Sequence, residues 1–344
     1  MANIAIPVEE IGEVKIIGDF ACEVAVPLAT YETPLWPSVK RGALVSRKTE
    51  GISVSVISDC MTRSVVLESD NVGQILEFHN SLLLRKEDLQ KEVSKTSSYA
   101  KLLDIDTQIV GNLIYIRFKY NTGDASGHNM TTKASDALIN WICKEYPYMR
   151  YVSVSANYCT DKKVSAVNGI LGRGKNVTAE IIVPKKLCSK ILKTTPEKIV
   201  NINNKKNLIG SILAGGVRSA NAHYANMLLA FYLATGQDAA NIVEGSQGIT
   251  YASLTKEGDL YFSVNCPNII IGTVGNGKEF NFVREYLTKM GCLDKKSSVG
   301  VNSKKLAAIA TATVLCGELS LLAAQTNQGE LMEAHERLER RRKS

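Results

Sequence analysis

One short segment of the chain combines residue types that could do chemistry. In SANYCTDKKVSA, residues 155–166, two adjacent lysines follow an aspartate. The segment just before it, RYVSVSA at 150–156, alternates apolar and small polar residues and predicts a strand. Asp161, Lys162 and Lys163 should therefore lie on the loop after this strand, and loops at strand ends often carry catalytic residues.

Two carboxylates are candidates for acid–base chemistry. Glu32 lies in VPLATYETPLW beside Pro34 and Trp36, where partial loss of water could let it hold a proton near neutral pH. A surface glutamate at a strand end is the more common alternative. Asp238 lies among alanine and glycine in ATGQDAA, which predicts burial with a partner, and Lys162 is a suitable partner.

Two of the four histidines lie in segments of interest. His335 has Glu333 and Glu336 beside it, and its titration range suits a proton donor on a C-terminal segment. By itself it would be interpreted as a surface histidine. His223 lies in an alanine-rich apolar segment, so a core-helix histidine with a satisfied ring is the better interpretation than a catalyst.

Two glycine-containing turns could approach a phosphate. GDASGHN at 123–129 lies between a predicted strand and a predicted helix, and GTVGNG at 272–277 follows an apolar run. An ordinary tight turn is the more frequent meaning of each pattern. Neither turn has the GxGxxG spacing, so a dinucleotide bound here would be bound in a non-Rossmann way.

The surrounding elements suggest one α/β unit inserted into another. Strands and helices alternate between residues 64 and 152, which is typical of a small α/β sandwich. The predicted elements there are a strand at 64–69, one helix from Asp70 to 93, a strand at 113–120, a helix at 128–146 and a strand at 150–156. Outside this unit, we expect core helices at 219–243, broken near Gly236, and at 303–324.

Composition limits the class of protein. With 344 residues, 45% hydrophobic and 22% charged, the chain has ordinary globular composition and room for two domains. We find no uninterrupted apolar window of membrane-spanning length and no secretory signal, and we expect a soluble, cytoplasmic protein without a membrane partner.

The net charge of +7 suits an anionic small ligand, and the basic tail 336–344 indicates a solvated helix end rather than a nucleic-acid arm. The eight scattered cysteines predict reduced thiols and no metal site.

Taken together, several segments resemble the 3-hydroxy-3-methylglutaryl-coenzyme A (HMG-CoA) reductase family. They cover nearly the whole chain in order: ATYE, DCMTR, LIYIRF with GDASGHNM, SANYCTDKK, GRGK, NAHYAN, TGQDAA, PNIIIGTVGNG and CGELSLLAA. The chain stops soon after His335, as in the soluble class I form. The resemblance implies an α+β fold with three parts: a large HMG-CoA-binding α/β domain around a central helix, an inserted ferredoxin-like, non-Rossmann NAD(P)-binding domain, and a connecting catalytic loop, at 1–63 with 164–344, 64–152 and 153–163.

The resemblance also implies a reaction, the four-electron reduction of HMG-CoA to mevalonate and free coenzyme A by two NADPH molecules, within isoprenoid biosynthesis. Lys162 would stabilise the oxyanion formed at each hydride transfer. Glu32 would donate a proton to the aldehyde oxygen, and Asp238 would hydrogen-bond to both of these residues. His335 would protonate the departing coenzyme A thiolate from a mobile C-terminal flap.

Other residues match the family's binding positions. The implied substrate contacts are Arg41 near the coenzyme A phosphates, with Arg63, Ser155, Asn157, Lys163 and Asn226. The implied cofactor contacts are Ser97, Ser98, Lys101, Asp124, Ser126, Gly127, Asn129 and Gly275. Family members are dimers or tetramers with shared active sites, so we expect a homo-oligomer.

The chain departs from the family in two places that bear on the cofactor. An arginine common in class I enzymes is missing beside Ser97 and Ser98, and Lys101 could replace it as the cation for the NADPH 2′-phosphate, which leaves NADH possible. Ser126 and His128 stand where methionines are common.

Two alternatives remain open. One is an NAD-dependent enzyme working in the oxidative, mevalonate-degrading direction, since metabolite levels set the direction. The other is an inactive binding protein whose basic tail holds an acidic partner. It is less favoured, because a buried lysine, glutamate and aspartate cluster is costly to keep without a role.

Overall fold

The computed structural model describes residues 4–336, and in that range strands and helices build a mixed α+β fold, as predicted. The strands are β1 Val8–Gly18, β2 Cys22–Ala29, β3 Ile52–Glu68, β4 Lys101–Val110, β5 Leu113–Asn121, β6 Arg150–Ser153, β7 Gly174–Val183, β8 Ile249–Leu254 and β9 Leu260–Ile269. The helices are α1 Leu35–Lys48, α2 Val72–Leu84, α3 Lys86–Ser94, α4 His128–Glu145, α5 Ala166–Leu171, α6 Lys185–Leu187, α7 Pro196–Ile202, α8 Ser211–Leu213, α9 Tyr224–Ala234, α10 Ile242–Gly245, α11 Asn281–Lys289, α12 Val301–Gln325 and α13 Glu330–His335. Two π-helical segments, Cys188–Leu192 and Asn203–Gly210, and a 3₁₀ turn, Ala239–Asn241, complete them.

The long strand β3 joins the two parts of the sheet. Its first half lies between β1 and β7 in the order β2-β1-β3-β7-β9-β8, and its second half pairs with β5 and β6. The sequence ISVSVISDCMTRSVVLE explains this role, because the first half alternates in burial while Met61–Leu67 is buried on both faces. β3 therefore carries the chain from one hydrophobic core to the other.

Two clusters of buried apolar residues lie along this sheet. One contains residues between Val65 and Met149, and the other surrounds α12. The mixed α+β class is therefore confirmed, whereas the predicted domain limits and the ferredoxin-like assignment stay predictions.

Helix α12 fills the larger core, as predicted for a core helix at 303–324. It is long and apolar enough to cross a membrane, which the sequence analysis did not expect, yet 94% of its most apolar window is buried inside the protein. Helix α1 packs closely against it, because a Cβ atom at Gly42 would lie 2.1 Å from the carbonyl oxygen of Cys316. Glycine at this position therefore brings the preceding residue, Arg41, up to α12.

The structure differs from the local predictions in three places. The single helix expected from Asp70 is two helices that meet at Arg85, and Asn71, not Asp70, caps the first by accepting the Gln74 N–H at 3.0 Å. The helix expected at 219–243 is broken near Gly236, as predicted, because α9 ends before this residue with its φ of 63° and a 3₁₀ turn and α10 follow it, but residues 219–223 are not helical. Strand β4 was missed, since its charged residues hide the alternation of a strand.

Candidate active site

A cavity of about 540 Å³ lies between α1, α9, α12 and α13. Its polar lining residues come from segments far apart in the chain, and apolar residues complete the wall. The lining consists of Glu32, Pro34, Leu35, Pro37, Ser38, Arg41, His223, Asn226, Leu321, Ala324, Gln325, Glu330, Leu331 and Glu333. Three predicted site residues, Glu32, Arg41 and Asn226, therefore share one cavity.

The carboxylate of Glu32 is held by an amide from α9. Asn226 Nδ2 donates to Glu32 Oε2 at 2.7 Å, and the Glu32 N–H donates to Thr30 Oγ1 at 3.0 Å. The loop between β2 and α1 thus presents the carboxylate to the cavity in one orientation. A neutral partner of this kind leaves the carboxylate free to exchange a proton with a ligand.

Arg41 links α1 to the two C-terminal helices. Its Nε donates to Ser320 Oγ at 3.0 Å, its Nη2 to the Ser320 carbonyl at 2.6 Å, and its Nη1 to Glu330 Oε1 at 2.8 Å. The ion pair with Glu330 holds the start of α13 beside the cavity. Because the Arg41 side chain stays about a quarter exposed, an incoming anion can reach it.

His223 lies at the start of α9 and not within a core helix, although its ring is satisfied as predicted. Its Nδ1 lies 2.8 Å from Oε1 of Glu318, a fully buried carboxylate on α12. Glu318 also accepts the backbone N–H groups of Ala222 and His223 and the hydroxyl of Thr250. Burial would raise the pKa of Glu318, but these hydrogen bonds and His223 lower it below its usual range.

The structure brings Lys162 and Asp238 together. Lys162 Nζ lies 2.7 Å from Asp238 Oδ2, and this hydrogen bond raises the pKa of Lys162. Partial burial works against ionisation of Asp238, but Lys162 and the Ala240 N–H lower its pKa. Asp238 is 44% exposed, so its predicted burial is wrong: the small neighbours do not cover it.

The expectation that Asp238 bonds to both Glu32 and Lys162 holds only for Lys162. Within residues 4–336 of one chain, no hydrogen bond or ion pair joins Glu32 to either residue. A single chain therefore presents two separate sets of groups, the Glu32 cavity and the Lys162–Asp238 pair.

The remaining substrate candidates lie at the base of the same loop. Arg63, nearly buried on β3, donates through Nη1 to Ser155 Oγ at 3.4 Å and through Nη2 to Thr132 Oγ1 at 2.7 Å. Lys163 Nζ donates to the Asp161 carbonyl at 3.1 Å, and Asn157 is exposed in a left-handed conformation with φ of 58°. Arg63 and Ser155 are therefore close enough to serve one ligand.

The two glycine turns lie against each other. Ala125 forms a bridge with Val274, and a Cβ atom at Gly272 would lie 2.5 Å from the Ser126 nitrogen. Gly127, with φ of 94°, precedes α4 and opens its N-terminus, while Asn129 follows in the first turn and Gly275 is left-handed with open space around it. Free N–H groups at such a helix start can hold a phosphate.

Asp124, a predicted cofactor contact, has other partners in this structure. Its carboxylate accepts the N–H groups of Gly300 and Ser303, each at 2.9 Å, and so caps the start of α12. The cofactor candidates Ser97 and Ser98 lie in the turn after α3, and Lys101 is exposed at the start of β4. The roles predicted for these residues stay predictions.

His335 is the last residue of helix α13, the helix that carries the cavity-lining residues Glu330, Leu331 and Glu333. Its predicted role as a proton donor stays a prediction. The basic tail, apart from Glu336, lies outside the described residues.

A buried charged cluster behind the Lys162 loop was not predicted from the sequence. Arg173 and Glu244 are fully buried and form an ion pair at 2.9 Å, and Arg173 also lies 3.0 Å from Asp161. Burial raises the pKa of Glu244 although Arg173 opposes the shift. The sequence pattern that could have revealed this cluster was an arginine between two glycines at the start of an apolar strand.

Lys206 was also not predicted as a buried charged residue. Burial lowers its pKa despite the nearby Glu318.

Comparison with known proteins assigns the chain to a class of oxidoreductases. The family described as hydroxymethylglutaryl-coenzyme A reductase matches residues 1–340, so the chain belongs to that family. It is 45% identical over 342 residues to 3-hydroxy-3-methylglutaryl-coenzyme A reductase of Pyrococcus abyssi, covering 98% of this chain and 83% of the relative. The enzyme of Methanothermobacter thermautotrophicus is 42% identical over 339 residues, with 98% and 83% covered.

Solved structures support the fold. The class II 3-hydroxy-3-methylglutaryl-CoA reductase of Streptococcus pneumoniae, bound to NADPH in open conformations, superimposes with a TM-score of 0.75. The two chains are 19% identical, and the match covers 95% of this chain and 86% of that one. At this identity the likeness shows the fold alone, and the class I form expected for this chain stays a prediction.

Proposed function

We propose that this protein reduces HMG-CoA to mevalonate and coenzyme A with two molecules of NADPH, as a homo-oligomer in the cytoplasm. The observation that carries the proposal is the Lys162–Asp238 pair in a chain that belongs to the reductase family. A cation fixed at 2.7 Å from its carboxylate, yet 39% exposed, is suited to stabilise negative charge that develops on a substrate oxygen.

The other residues take roles that follow from their surroundings. Glu32, oriented by Asn226 in the cavity, donates a proton to the substrate oxygen. Arg41 binds a phosphate of coenzyme A at the mouth of the cavity, in exchange for its bond to Glu330. His335, at the end of α13, protonates the coenzyme A thiolate as it leaves.

The facing glycine turns fit a dinucleotide. Bound NADPH supplies the hydride. Residues 123–129 offer the open N-terminus of the 18-residue helix α4 to a phosphate. The absence of side chains at Gly127 and Gly272 lets the first turn pack against Thr122 and the two turns pack against each other. The exposed Lys101 supplies a cation to the 2′-phosphate of NADPH.

A second copy of the chain completes the active site. Glu32 has no contact with Lys162 or Asp238 among the described residues of one chain, although the proposed reaction needs the acid and the cation on one substrate oxygen. The exposure of both members of the Lys162–Asp238 pair leaves them accessible to a partner's cavity. We therefore expect an isolated monomer to be inactive.

The test follows oxidation of NADPH and of NADH, by the loss of nicotinamide absorbance, with HMG-CoA as substrate. We expect the wild type to oxidise NADPH faster than NADH and Lys162→Ala to lose at least 10²-fold in turnover. Lys256→Ala, in the exposed turn before β9, is the matched control and should keep full activity. No oxidation of either cofactor by a folded oligomer would contradict the proposal.

Lys101→Ala tests the choice of cofactor. Loss of one charge-assisted contact should raise KM for NADPH by about tenfold and leave KM for NADH unchanged, because only NADPH carries the 2′-phosphate. Equal effects on both cofactors would assign Lys101 to another task. A wild-type preference for NADH would favour the oxidative alternative.

A further inference from the structure

Behind the Lys162 loop, one buried arginine binds two carboxylates that control the loop backbone. Arg173 Nη1 lies 3.0 Å from Asp161 Oδ1 and 2.9 Å from Glu244 Oε1. The same Glu244 oxygen accepts the backbone N–H of Lys162 at 3.2 Å. Arg173 therefore supports Lys162 through two contacts: one with the side chain of the preceding residue, Asp161, and one with Glu244, which accepts the Lys162 N–H.

The fold fixes Arg173 in this position. Its N–H donates to the Pro267 carbonyl at 3.3 Å, and the glycines on either side have positive φ values of 74° and 83°. A Cβ atom at Gly174 would lie 2.6 Å from the Ile269 carbonyl oxygen, so only glycine fits there. The side chain of Arg173 between the two glycines is fully buried, with an exposure of 0%.

The loop that Arg173 holds is strained. Asn157, Thr160 and Lys162 have φ values of 58°, 45° and 55°, in the left-handed region that is unfavourable for residues with side chains. Each such residue costs about 1 to 3 kcal/mol and persists only where its surroundings hold it. Without its supports, the segment would relax and carry the Lys162 ammonium away from Asp238.

The network also includes the start of α4. His128 Nε2 lies 3.2 Å from Asn241 Nδ2 and 3.8 Å from Asp161 Oδ1, and Asn241 donates to Glu244 at 3.1 Å. Four segments therefore meet at this cluster: the first turn of α4, the Lys162 loop, the residue before β7, and the 3₁₀ turn leading into α10. Several buried polar atoms of the cluster, among them Arg173 Nη2 and Glu244 Oε2, have no hydrogen-bond partner among residues 4–336.

We propose that Arg173 is a positioning residue: with Glu244 and Asp161 it holds the strained loop so that the Lys162 ammonium meets Asp238. This inference rests on the proposed function for its effect on turnover, but not for its effect on the geometry of Lys162. Arg173 does not touch the substrate. Its loss should therefore lower kcat through Lys162 while the KM values for both substrates change little.

The experiment measures the titration of Lys162 directly. Lysines are labelled competitively with acetic anhydride across a pH range, and mass spectrometry quantifies Lys162, with Lys163 in the same peptide as the internal standard. In the wild type, Asp238, Asp161 and Glu244 raise the pKa of Lys162. In Arg173→Met, loss of position should lower that pKa, whereas loss of the arginine's charge alone would raise it, because a nearby cation disfavours protonation.

Turnover and stability are measured on the same variants. We expect Arg173→Met to lose about 100-fold in kcat, the size of effect that a displacement of about 1 Å produces. Lys175→Met is the matched control, since Lys175 lies two residues further on and forms another buried ion pair, 3.3 Å from Asp59. It should lower the unfolding temperature similarly, without changing kcat or the titration of Lys162.

Two results would overturn the proposal. One is a Lys162 titration in Arg173→Met that stays at the wild-type pH or moves upward, and the other is unchanged kcat. If Arg173→Met does not fold, Arg173→Lys is measured instead, because lysine keeps the positive charge but is too short to contact both carboxylates. A lower pKa of Lys162 in this variant would support the positioning role. An unchanged pKa would show that only the charge of Arg173 matters. A folded wild type that shows the titration shift but no reductase activity would contradict the proposed function alone.

Discussion

Lys162 and Asp238 form an ion pair, 2.7 Å between Nζ and Oδ2, across two segments that are distant in the sequence. Asp238 also caps the turn that follows it, accepting the Ala240 N–H at 3.1 Å. The carboxylate is thus fixed by its own backbone, and it orients a lysine from a strained loop. This arrangement suits the cation of the proposed reaction, which must hold one position through both hydride transfers.

Asp238→Asn should lower kcat by about 10²-fold to 10³-fold, the range seen when one group that stabilises an oxyanion is removed. The amide keeps the size of the carboxylate but loses its charge, so the pKa of Lys162 should fall. Steady-state kinetics with HMG-CoA and NADPH measure the effect. Asp19→Asn, on an exposed turn, is the control and should behave as the wild type. A kcat within threefold of the wild type would exclude Asp238 from the reaction.

Glu32→Gln should reduce kcat by about 10²-fold to 10⁴-fold, because an amide can still accept from Asn226 but cannot donate an acidic proton. KM for HMG-CoA should stay close to that of the wild type, since the shape of the cavity is kept. Glu13→Gln, an exposed carboxylate on β1, is the control. An increase in KM with unchanged kcat would show that Glu32 binds the substrate and does not protonate it.

Arg41→Ala should raise KM for HMG-CoA about tenfold or more, because a hydrogen bond to a charged group contributes about 1.5 to 3 kcal/mol. Glu330→Gln breaks the same ion pair and keeps the cation. It should therefore leave KM unchanged or lower it, as Arg41 no longer has to give up a partner. If both variants raise KM equally, the position of α13 matters and the arginine charge does not.

His128 should make folding stability depend on pH. Burial, together with the positive charge of Arg173, lowers the pKa of His128 from 6.5 to about 4, even though Asp161 and Asp238 oppose the shift. Between these values the unfolded chain binds more protons than the folded one, so stability is present above pH 6.5 and is lost as the pH falls toward 4. The full effect amounts to about 3 kcal/mol at most.

The measurement is urea unfolding of the wild type and of His128→Gln at pH 7 and pH 4.5. Glutamine can still accept from Asn241 but does not titrate. The wild type should lose more unfolding free energy than the variant over this range, while the carboxylates common to both contribute equally. Parallel losses in the two proteins would show that His128 has the same pKa in the folded and the unfolded chain.

Local patterns in the sequence predicted features that depend on neighbouring residues. The alternation in RYVSVSA placed the lysines on a loop, although the strand itself is only Arg150–Ser153. The alanine-rich apolar run predicted α12 within two residues at its start, because a helix that is apolar on all sides must be buried. The same reasoning did not predict strand β4, because its burial is irregular and its sequence therefore lacks the apolar–polar alternation of a strand.

The sequence by itself determined the family, the mixed α+β class and the residue types available for the reaction, because motifs and periodicity are local properties of the chain. Only the tertiary structure decided their partners. In the structure Lys162 pairs with Asp238, whereas Glu32 accepts a hydrogen bond from Asn226. Asp124 caps α12, and Arg173 lies within ion-pair distance of two carboxylates. The physical reason is that ion pairs and hydrogen bonds depend on distances of a few ångströms, which packing fixes between segments distant in sequence.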